Sequence, residues 1–271
     1  VRRLCSQAAA AAAASSSAST SATSAAEAQK FASLADSWWD RAGPLQALHS
    51  LNRLRVPLVR TAASFARGPA GLADAELVDL GCGGGLLAEP LARLGVRVLG
   101  VDPVAESVEA ASSRRQQSAA AESGIADGRL TFRCQTVSEL AADRPAEFDL
   151  AVASEVLEHV DNWPEFLRSA ADLLRPGGCL VVTTINRTAA SYWLGVMAAE
   201  RLLRLVPPGT HDWRLFIPPD QLRRRLADCG LETRLTVGMR LNPLTGRWAW
   251  SRDLSLSYGL VAQKLPAAGT H

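Results

Sequence analysis

Three residues of chemically active types fall within one short stretch, SEVLEHV, at positions 154–160. Glu155, Glu158 and His159 stand at i, i+3 and i+4, so one turn of helix would project all three from the same face. Two carboxylates and an imidazole could bind a divalent cation, Mg²⁺ first, with Zn²⁺ or Mn²⁺ as alternatives. They could instead take up a proton, or make only the hydrogen bonds that fix a loop.

A glycine-rich segment, DLGCGGG at 79–85, follows a short apolar run and precedes a helical pattern. Gly81, Gly83 and Gly85 let the backbone approach a ligand closely, because no Cβ intervenes. Asp102 ends the next predicted strand, where a carboxylate could hold the two hydroxyls of a ribose. A glycine loop alone is a weak signal, but the loop and the acid together predict a site for a nucleoside-containing cofactor.

Asp79 helps to decide which cofactor the loop would bind. The pattern D-x-G-x-G-x-G fits at every position, whereas the dinucleotide pattern G-x-G-x-x-G fits only with Ala88 at its third glycine. S-adenosylmethionine (SAM) carries an ammonium and a sulfonium instead of a pyrophosphate, so a neighbouring carboxylate attracts it. We therefore predict SAM as the cofactor and keep a nicotinamide-dependent oxidoreductase as an alternative.

The elements that must position these residues alternate between strands and helices. The predicted strands cover 76–80, 96–102, 129–136, 148–154, 178–186, 232–241 and 254–264. This alternation predicts an α/β fold, with a doubly wound, mostly parallel seven-stranded sheet. Ligands bind such sheets at the carboxyl ends of the strands, which is where the glycine loop, Asp102 and SEVLEHV fall.

The region before the first strand has a helical pattern rich in apolar and basic residues, broken at Gly43-Pro44. We interpret residues 28–70 as an N-terminal helical lid on a single domain that covers 28–265. His49 lies in this lid and is predicted to be a packing residue.

Composition limits the class of protein. The chain has 271 residues, 48% hydrophobic and 21% charged, which is typical of a globular protein. A net charge of +2 without a long basic run gives no indication of a nucleic-acid partner. Five scattered cysteines without a C-x-x-C pair are typical of a reducing compartment.

Residues 1–27 differ from the rest, because they are rich in Ala and Ser and carry Arg2 and Arg3. This composition predicts the remnant of an organelle transit peptide, with a disordered tail as the alternative. Because the chain begins with Val, we expect an upstream piece that includes the initiator Met.

Several stretches resemble known proteins. The glycine segment, Asp102, FDLAVAS at 148–154 and LLRPGG at 173–178 resemble class I SAM-dependent methyltransferases, whose fold is Rossmann-like. Further stretches resemble one branch, the ubiquinone-biosynthesis O-methyltransferases. They are FASLADSWWDRAGPLQALHSLNRLR at 31–55, SEVLEHV, TTINRTAASYWLGVMAAERLLRLVPPGTHDW at 183–213 and LNPLTGRWAWSRDLSLSYGLVAQK at 241–264. Arg53 departs from the family, which commonly has proline there.

The resemblance implies methyl transfer from SAM to a phenolic oxygen of polyprenylated catechol or hydroquinone intermediates, polyprenyl-dihydroxybenzoate and demethylubiquinol, in ubiquinone biosynthesis. It implies that Arg55 and Ser154 contact SAM, and that Glu155, Glu158 and His159 bind the metal. It also implies a place on the matrix side of the mitochondrial inner membrane beside other ubiquinone-biosynthesis proteins. Another small phenol or a carboxylate as substrate, or a non-catalytic lipid-binding subunit, are the alternatives.

Residues 188–215 form a segment with two open interpretations. An uncharged run at 188–199 is too short to cross a bilayer, and arginines follow it. The segment suits a helix lying in a membrane interface, as peripheral binding of a lipid substrate would need, or a buried helix over the active site. His211, next to Asp212, could be a general base or part of a surface pair.

Overall fold

The structure is a computed structural model, and it describes residues 25–120, 125, 128–188, 215–242 and 245–266. The predicted transit-peptide remnant lies outside these residues up to position 24. His211 and nearly all of the 188–215 segment also lie outside them. Among the described residues, none of the helices has the length and apolar character needed to span a bilayer.

One sheet organises the described part of the chain, with its strands in the order β3-β2-β1-β4-β5-β8-β6-β7. The strands are β1 Glu76–Leu80, β2 Arg97–Asp102, β3 Leu130–Cys134, β4 Phe148–Ser154, β5 Leu174–Ile185, β6 Leu231–Asn242, β7 Arg247–Ser251 and β8 Ser257–Lys264. Strands β1 to β5 pair in parallel, and β8, β6 and β7 add antiparallel pairs. The predicted doubly wound, mostly parallel sheet is confirmed.

Helices cover both faces of this sheet. They are α1 Ala25–Ser33, α2 Gln46–Arg67, α3 Ala88–Arg93, α4 Ala105–Ala120, α5 Val137–Asp143, α6 Trp163–Leu173 and α7 Pro219–Asp228. Apolar residues of α2 and α3 join one core cluster, and those of α6 and α7 join another. In β1, Leu77 belongs to the first cluster and Val78 to the second, which is why a strand buried on both faces has a continuous apolar run.

The predicted count of seven strands is corrected to eight in the described residues. Strand β7 pairs only with β6, Leu241 opposite Trp248 and Met239 opposite Trp250, at the outer edge of the sheet. It is short and largely exposed, so it lacks the apolar run by which the other strands were predicted. Its signal in the sequence is the alternation of the two tryptophans after a turn that ends at Gly246.

The N-terminal region forms two parts with different roles. Helix α2 begins at Gln46, just after the predicted break at Gly43-Pro44, and its apolar face packs into the core. The residues before it, α1 and the turns that follow, lie against the carboxyl edge of the sheet, where Trp38 and Leu45 cluster with Leu86. This first part lies over the glycine loop, and α2 adds residues at the same edge of the sheet.

Candidate functional site

The glycine loop leaves β1 with a backbone that only glycine adopts easily. Gly81, Gly83 and Gly85 have φ angles of 71°, 51° and 79°, all in the left-handed region. A Cβ on Gly81 would lie 2.7 Å from Cγ2 of Val156, and one on Gly85 would lie 2.8 Å from the Phe132 ring. Backbone conformation and close packing therefore both require these glycines.

Asp102 at the end of β2 fixes this loop. Its Oδ2 accepts a hydrogen bond from the Gly83 N–H at 2.9 Å, and its Oδ1 accepts one from the Val104 N–H at 2.9 Å. Burial raises the pKa of this carboxyl to about 6, and the two backbone donors act in the opposite direction. A carboxylate has about four lone-pair sites, so both oxygens can still accept from a ligand.

A buried charged pair lies beneath the loop. Burial raises the pKa of Asp79 to about 7, against the attraction of Arg55, and burial also lowers the pKa of Arg55 to about 10. Arg55 donates from Nη1 to Ser154 Oγ at 3.2 Å and from Nη2 to the Leu48 carbonyl at 2.9 Å. Three predicted cofactor residues, from α2, β1 and β4, thus come together at one edge of the sheet.

SEVLEHV has a different conformation from the predicted helical turn. Glu155 directly follows β4 with a φ of 57°, and its N–H donates to the Thr183 carbonyl at 2.9 Å. A 3₁₀ turn begins only at Leu157 and ends at His159. The prediction that Glu155, Glu158 and His159 share one helical face is therefore wrong, because Glu155 lies outside the turn.

The three side chains have separate environments. Burial raises the pKa of Glu155 to about 7, and the neighbouring Glu158 adds to this rise. Glu158 Oε2 accepts a hydrogen bond from Thr184 Oγ1 at 2.8 Å, and burial raises the pKa of Glu158 as well. His159 Nδ1 lies 2.8 Å from Glu27 Oε2 of α1.

These environments bear on the metal that the resemblance implies. Within the described ranges, no group of three His, Cys, Asp or Glu residues is arranged to hold a metal ion. Glu155 has a left-handed backbone, Glu158 bonds Thr184 and His159 contacts Glu27, so each of the three has different surroundings. In this arrangement the predicted ligands do not fit a common cation.

The lid lies directly on the glycine loop. A Cβ on Gly83 would be 2.3 Å from Cη2 of Trp38, and Trp39 Nε1 donates to the Gly84 carbonyl at 3.0 Å. His49 Nε2 donates to the Trp38 carbonyl at 2.9 Å, in agreement with a packing role. Asn52 Nδ2 donates to the Leu86 carbonyl at 2.7 Å.

Sequence reasoning assigned no site role to Glu27, Trp38, Trp39 or Asn52. Glu27 is 132 positions from His159, and nothing in the local pattern links the two. The adjacent tryptophans in SWWD served only as a mark of resemblance, because they lie about 45 positions before the glycines of the loop and no local pattern links the two.

Buried polar atoms without a hydrogen-bond partner concentrate around this site. Seven such side-chain atoms occur among the described residues. Five of them belong to site residues: Trp38 Nε1, Asn52 Oδ1, Arg55 Nε, Asp79 Oδ2 and Glu155 Oε1. Because buried polar groups are nearly always paired, this concentration fits a pocket that receives a polar, partly charged ligand.

Comparisons with known proteins agree with the fold and the motifs. A family model described as a methyltransferase domain matches residues 29–236. The chain is 40% identical over 243 residues to the human mitochondrial ubiquinone biosynthesis O-methyltransferase, covering 88% of this chain and 64% of that protein. It therefore spans less than two thirds of the human relative's length. It is 41% identical over 249 residues to the ubiquinone biosynthesis O-methyltransferase of Methylobacterium sp. (strain 4-46). That match covers 90% of this chain and 96% of the bacterial protein.

Solved structures with low identity support the fold alone. The magnesium protoporphyrin IX methyltransferase of Synechocystis PCC 6803 with bound SAH has a TM-score of 0.53 at 21% identity, covering 79% of this chain and 84% of that one. The [4+2]-cyclase SpnF has a TM-score of 0.55 at 20% identity, and the match covers 80% of this chain and 82% of SpnF. Because a cyclase and a methyltransferase share this fold, the reaction must be argued from the site.

Proposed function

Because the chain belongs to the ubiquinone biosynthesis O-methyltransferase family, we propose that it methylates a phenolic oxygen of a polyprenylated catechol or hydroquinone with SAM as donor. The pathway would be ubiquinone biosynthesis, as in the names of the relatives. The observation that carries the proposal is the cluster of buried, unpartnered donors and acceptors at the carboxyl ends of β1 and β4. Both signs of charge are present there, as a zwitterionic cofactor with a sulfonium needs.

On the cofactor side, the protein's charged groups bind and orient. SAM supplies a methyl group that its sulfonium activates. Arg55 has an unpartnered Nε to donate to a ligand carboxylate, and Asp79 has an unpartnered Oδ2 to accept from an ammonium. Asp102 keeps acceptor capacity for ribose hydroxyls, and Ser154 joins Arg55 to β4. The glycine loop lets SAM lie close to the protein backbone at the end of β1.

On the acceptor side, a base must take the phenolic proton as the new O–CH₃ bond forms and the S–CH₃ bond breaks. Glu155 suits this role, because burial and the neighbouring Glu158 raise the pKa of its carboxyl, and a carboxylate with a raised pKa accepts a proton more readily. His159 is adjacent and held by Glu27, so it is the second candidate. His211, outside the described residues, stays a prediction for the same role.

Metal assistance by Glu155, Glu158 and His159 stays a hypothesis that derives from the resemblance. In its favour are two neighbouring buried carboxyls with raised pKa values and the unpartnered Glu155 Oε1, since a cation would offset both features. Against it is the arrangement of the three side chains, which would have to change before they could share an ion. The proton-transfer mechanism needs no such change.

We further propose a mitochondrial location, as several relatives named mitochondrial suggest. A polyprenylated substrate resides in lipid, so peripheral binding on the matrix side of the inner membrane, beside other ubiquinone-biosynthesis proteins, would bring the enzyme to it. The 188–215 segment is the proposed contact. If Trp193→Asp left liposome binding unchanged, this segment would have no such role.

A methyl-transfer assay tests the proposed function. Isotope-labelled SAM is offered with a short-chain prenylated catechol, with an aromatic carboxylate, and with the catechol plus a chelator. The proposal expects label on a phenolic oxygen of the catechol, and no label on the carboxylate. Persistence of activity in chelator supports proton transfer by protein groups, and its loss supports the metal hypothesis. Binding of NADH but not of SAM would contradict the proposal altogether.

A further inference from the structure

The two adjacent tryptophans of the lid differ in one respect. The Trp39 indole N–H donates to the Gly84 carbonyl, and the Arg114 guanidinium lies 4.4 Å from the Trp39 ring centroid. The Trp38 side chain is more deeply buried, with 6% of its residue surface exposed, yet its Nε1 has no hydrogen-bond partner. The Trp39 indole N–H therefore has a hydrogen-bond partner in the protein, whereas the Trp38 indole N–H is buried and has none.

The position of Trp38 is fixed from two sides. Its carbonyl accepts a hydrogen bond from His49, and its side chain packs against Leu45 and Leu86. The Cζ2 atom of its ring would lie 2.6 Å from a Cβ on Gly83. Its Cη2 atom would be nearer still, at 2.3 Å, and its Cγ would lie 2.3 Å from a Cβ on Gly84, so the indole lies along the Gly83–Gly84 segment of the loop.

Gly83 is also where Asp102 binds the loop. The Gly83 N–H donates to Asp102 Oδ2, so the residue on which the Trp38 ring packs also binds the carboxylate proposed for the ribose hydroxyls. A buried N–H without a partner opposes folding, and a phenylalanine would fill most of the same space without this cost. Packing therefore accounts for the ring of Trp38 but not for its nitrogen.

We propose that Trp38 is a cofactor-contacting residue, whose indole N–H donates a hydrogen bond to an oxygen or nitrogen acceptor on SAM. The lid then completes the cofactor site: Trp39 binds the lid to the Gly84 carbonyl of the loop, and Trp38 donates a hydrogen bond to the ligand. This inference rests on the proposed SAM dependence and extends it to a residue of the lid. Sequence alone cannot separate the two tryptophans, because they are neighbours of the same type.

The test compares the SAM dissociation constants of the wild type, Trp38→Phe and Trp39→Phe by calorimetry, with thermal unfolding of each. For Trp38→Phe we expect an increase of about 5- to 10-fold, typical of one lost hydrogen bond, and a smaller loss of thermal stability without ligand than for Trp39→Phe. Trp39→Phe is the matched control. It removes a bond that exists without ligand, so it lowers the unfolding temperature and changes the dissociation constant less.

A second measurement, by NMR, does not depend on the stability of the variants. The indole N–H resonance of Trp38, assigned by its absence in Trp38→Phe, should shift downfield and exchange more slowly when SAM binds. A dissociation constant for Trp38→Phe within twofold of the wild type, or below it, overturns the inference, and the latter result would make Trp38 an obstacle to the cofactor. If the wild type itself did not bind SAM, the proposed function would fail and this inference with it.

Discussion

The glycine-loop end of the site and the β4 end are built differently. At the loop, the key carboxylate, Asp102, is held by two backbone N–H donors, and the loop glycines have the left-handed backbone they need. At β4, Glu155 adopts a left-handed conformation without being glycine, and its Oε1 is buried and unpartnered. Under the proposed function, the first end binds SAM, and the second holds the buried carboxyl on a left-handed backbone that we propose as the base.

The largest expected effect is at the β4 end. Glu155→Gln keeps the size of the side chain but removes the base, so kcat should fall by about 10²- to 10⁴-fold while the SAM dissociation constant stays the same. Glu232→Gln, on an exposed position of β6, is the control and should leave kcat unchanged. Steady-state kinetics and calorimetry measure the two quantities. A normal kcat for Glu155→Gln would show that Glu155 is not the base and would leave His159 and His211 as the candidates.

The next effect is at the loop end. Asp102→Ala removes the acceptor of two backbone N–H groups and the carboxylate proposed for the ribose, so the SAM dissociation constant should rise by about 10- to 100-fold. At saturating SAM, kcat should remain within a few-fold of the wild type. Unchanged SAM binding would remove the ribose assignment.

The pH dependence separates binding from stability. Burial holds the pKa of Asp79 at about 7 in the folded protein, above its unfolded value, so the unliganded protein loses stability as pH rises through that value. SAM, with its cationic groups, favours the ionised carboxylate. Its dissociation constant should therefore fall by about tenfold per pH unit below the pKa and level off above it.

Calorimetric titrations across this range measure the effect of Asp79, with Asp79→Asn as the comparison. The variant should bind SAM weakly at every pH and show a flatter profile. A wild-type dissociation constant that rises with pH would contradict the assigned role of Asp79.

The smallest expected effect is on the contact between α1 and the β4 end. Glu27→Ala removes the carboxylate next to His159 Nδ1, so kcat should fall by about 2- to 10-fold with little change in SAM affinity. Lys30→Met, one helical turn away in α1, is the matched control because it alters the charge near Glu27 and keeps the contact with His159. Equal losses in the two variants would indicate a general defect of α1.

The sequence could predict the loop end because its constraints are local. Glycines at fixed spacing after an apolar run, with an acid at the end of the next strand, predicted Gly83 and Asp102 as partners in one site, and the hydrogen bond between them agrees with this. Glycines at this spacing indicate a left-handed backbone directly, because few other conformations require glycine.

The β4 end was predicted only in its location. A helical turn was expected from the spacing of the two glutamates and the histidine, but the chain leaves β4 through a left-handed residue that is not glycine or asparagine. No local pattern indicates such a conformation. The partners of this end, Thr184 and Glu27, come from a neighbouring strand and from α1, and only the folded chain brings them together.

The most direct test of the account measures SAM affinity and the single-turnover rate of methyl transfer together, in the wild type, Asp102→Ala and Glu155→Gln. With SAM saturating and a short-chain prenylated catechol as acceptor, the account predicts that Asp102→Ala loses affinity and keeps its rate. Glu155→Gln should keep its affinity and lose its rate. If both variants lost affinity and rate in parallel, the two ends would not have separate roles, and the account would be wrong.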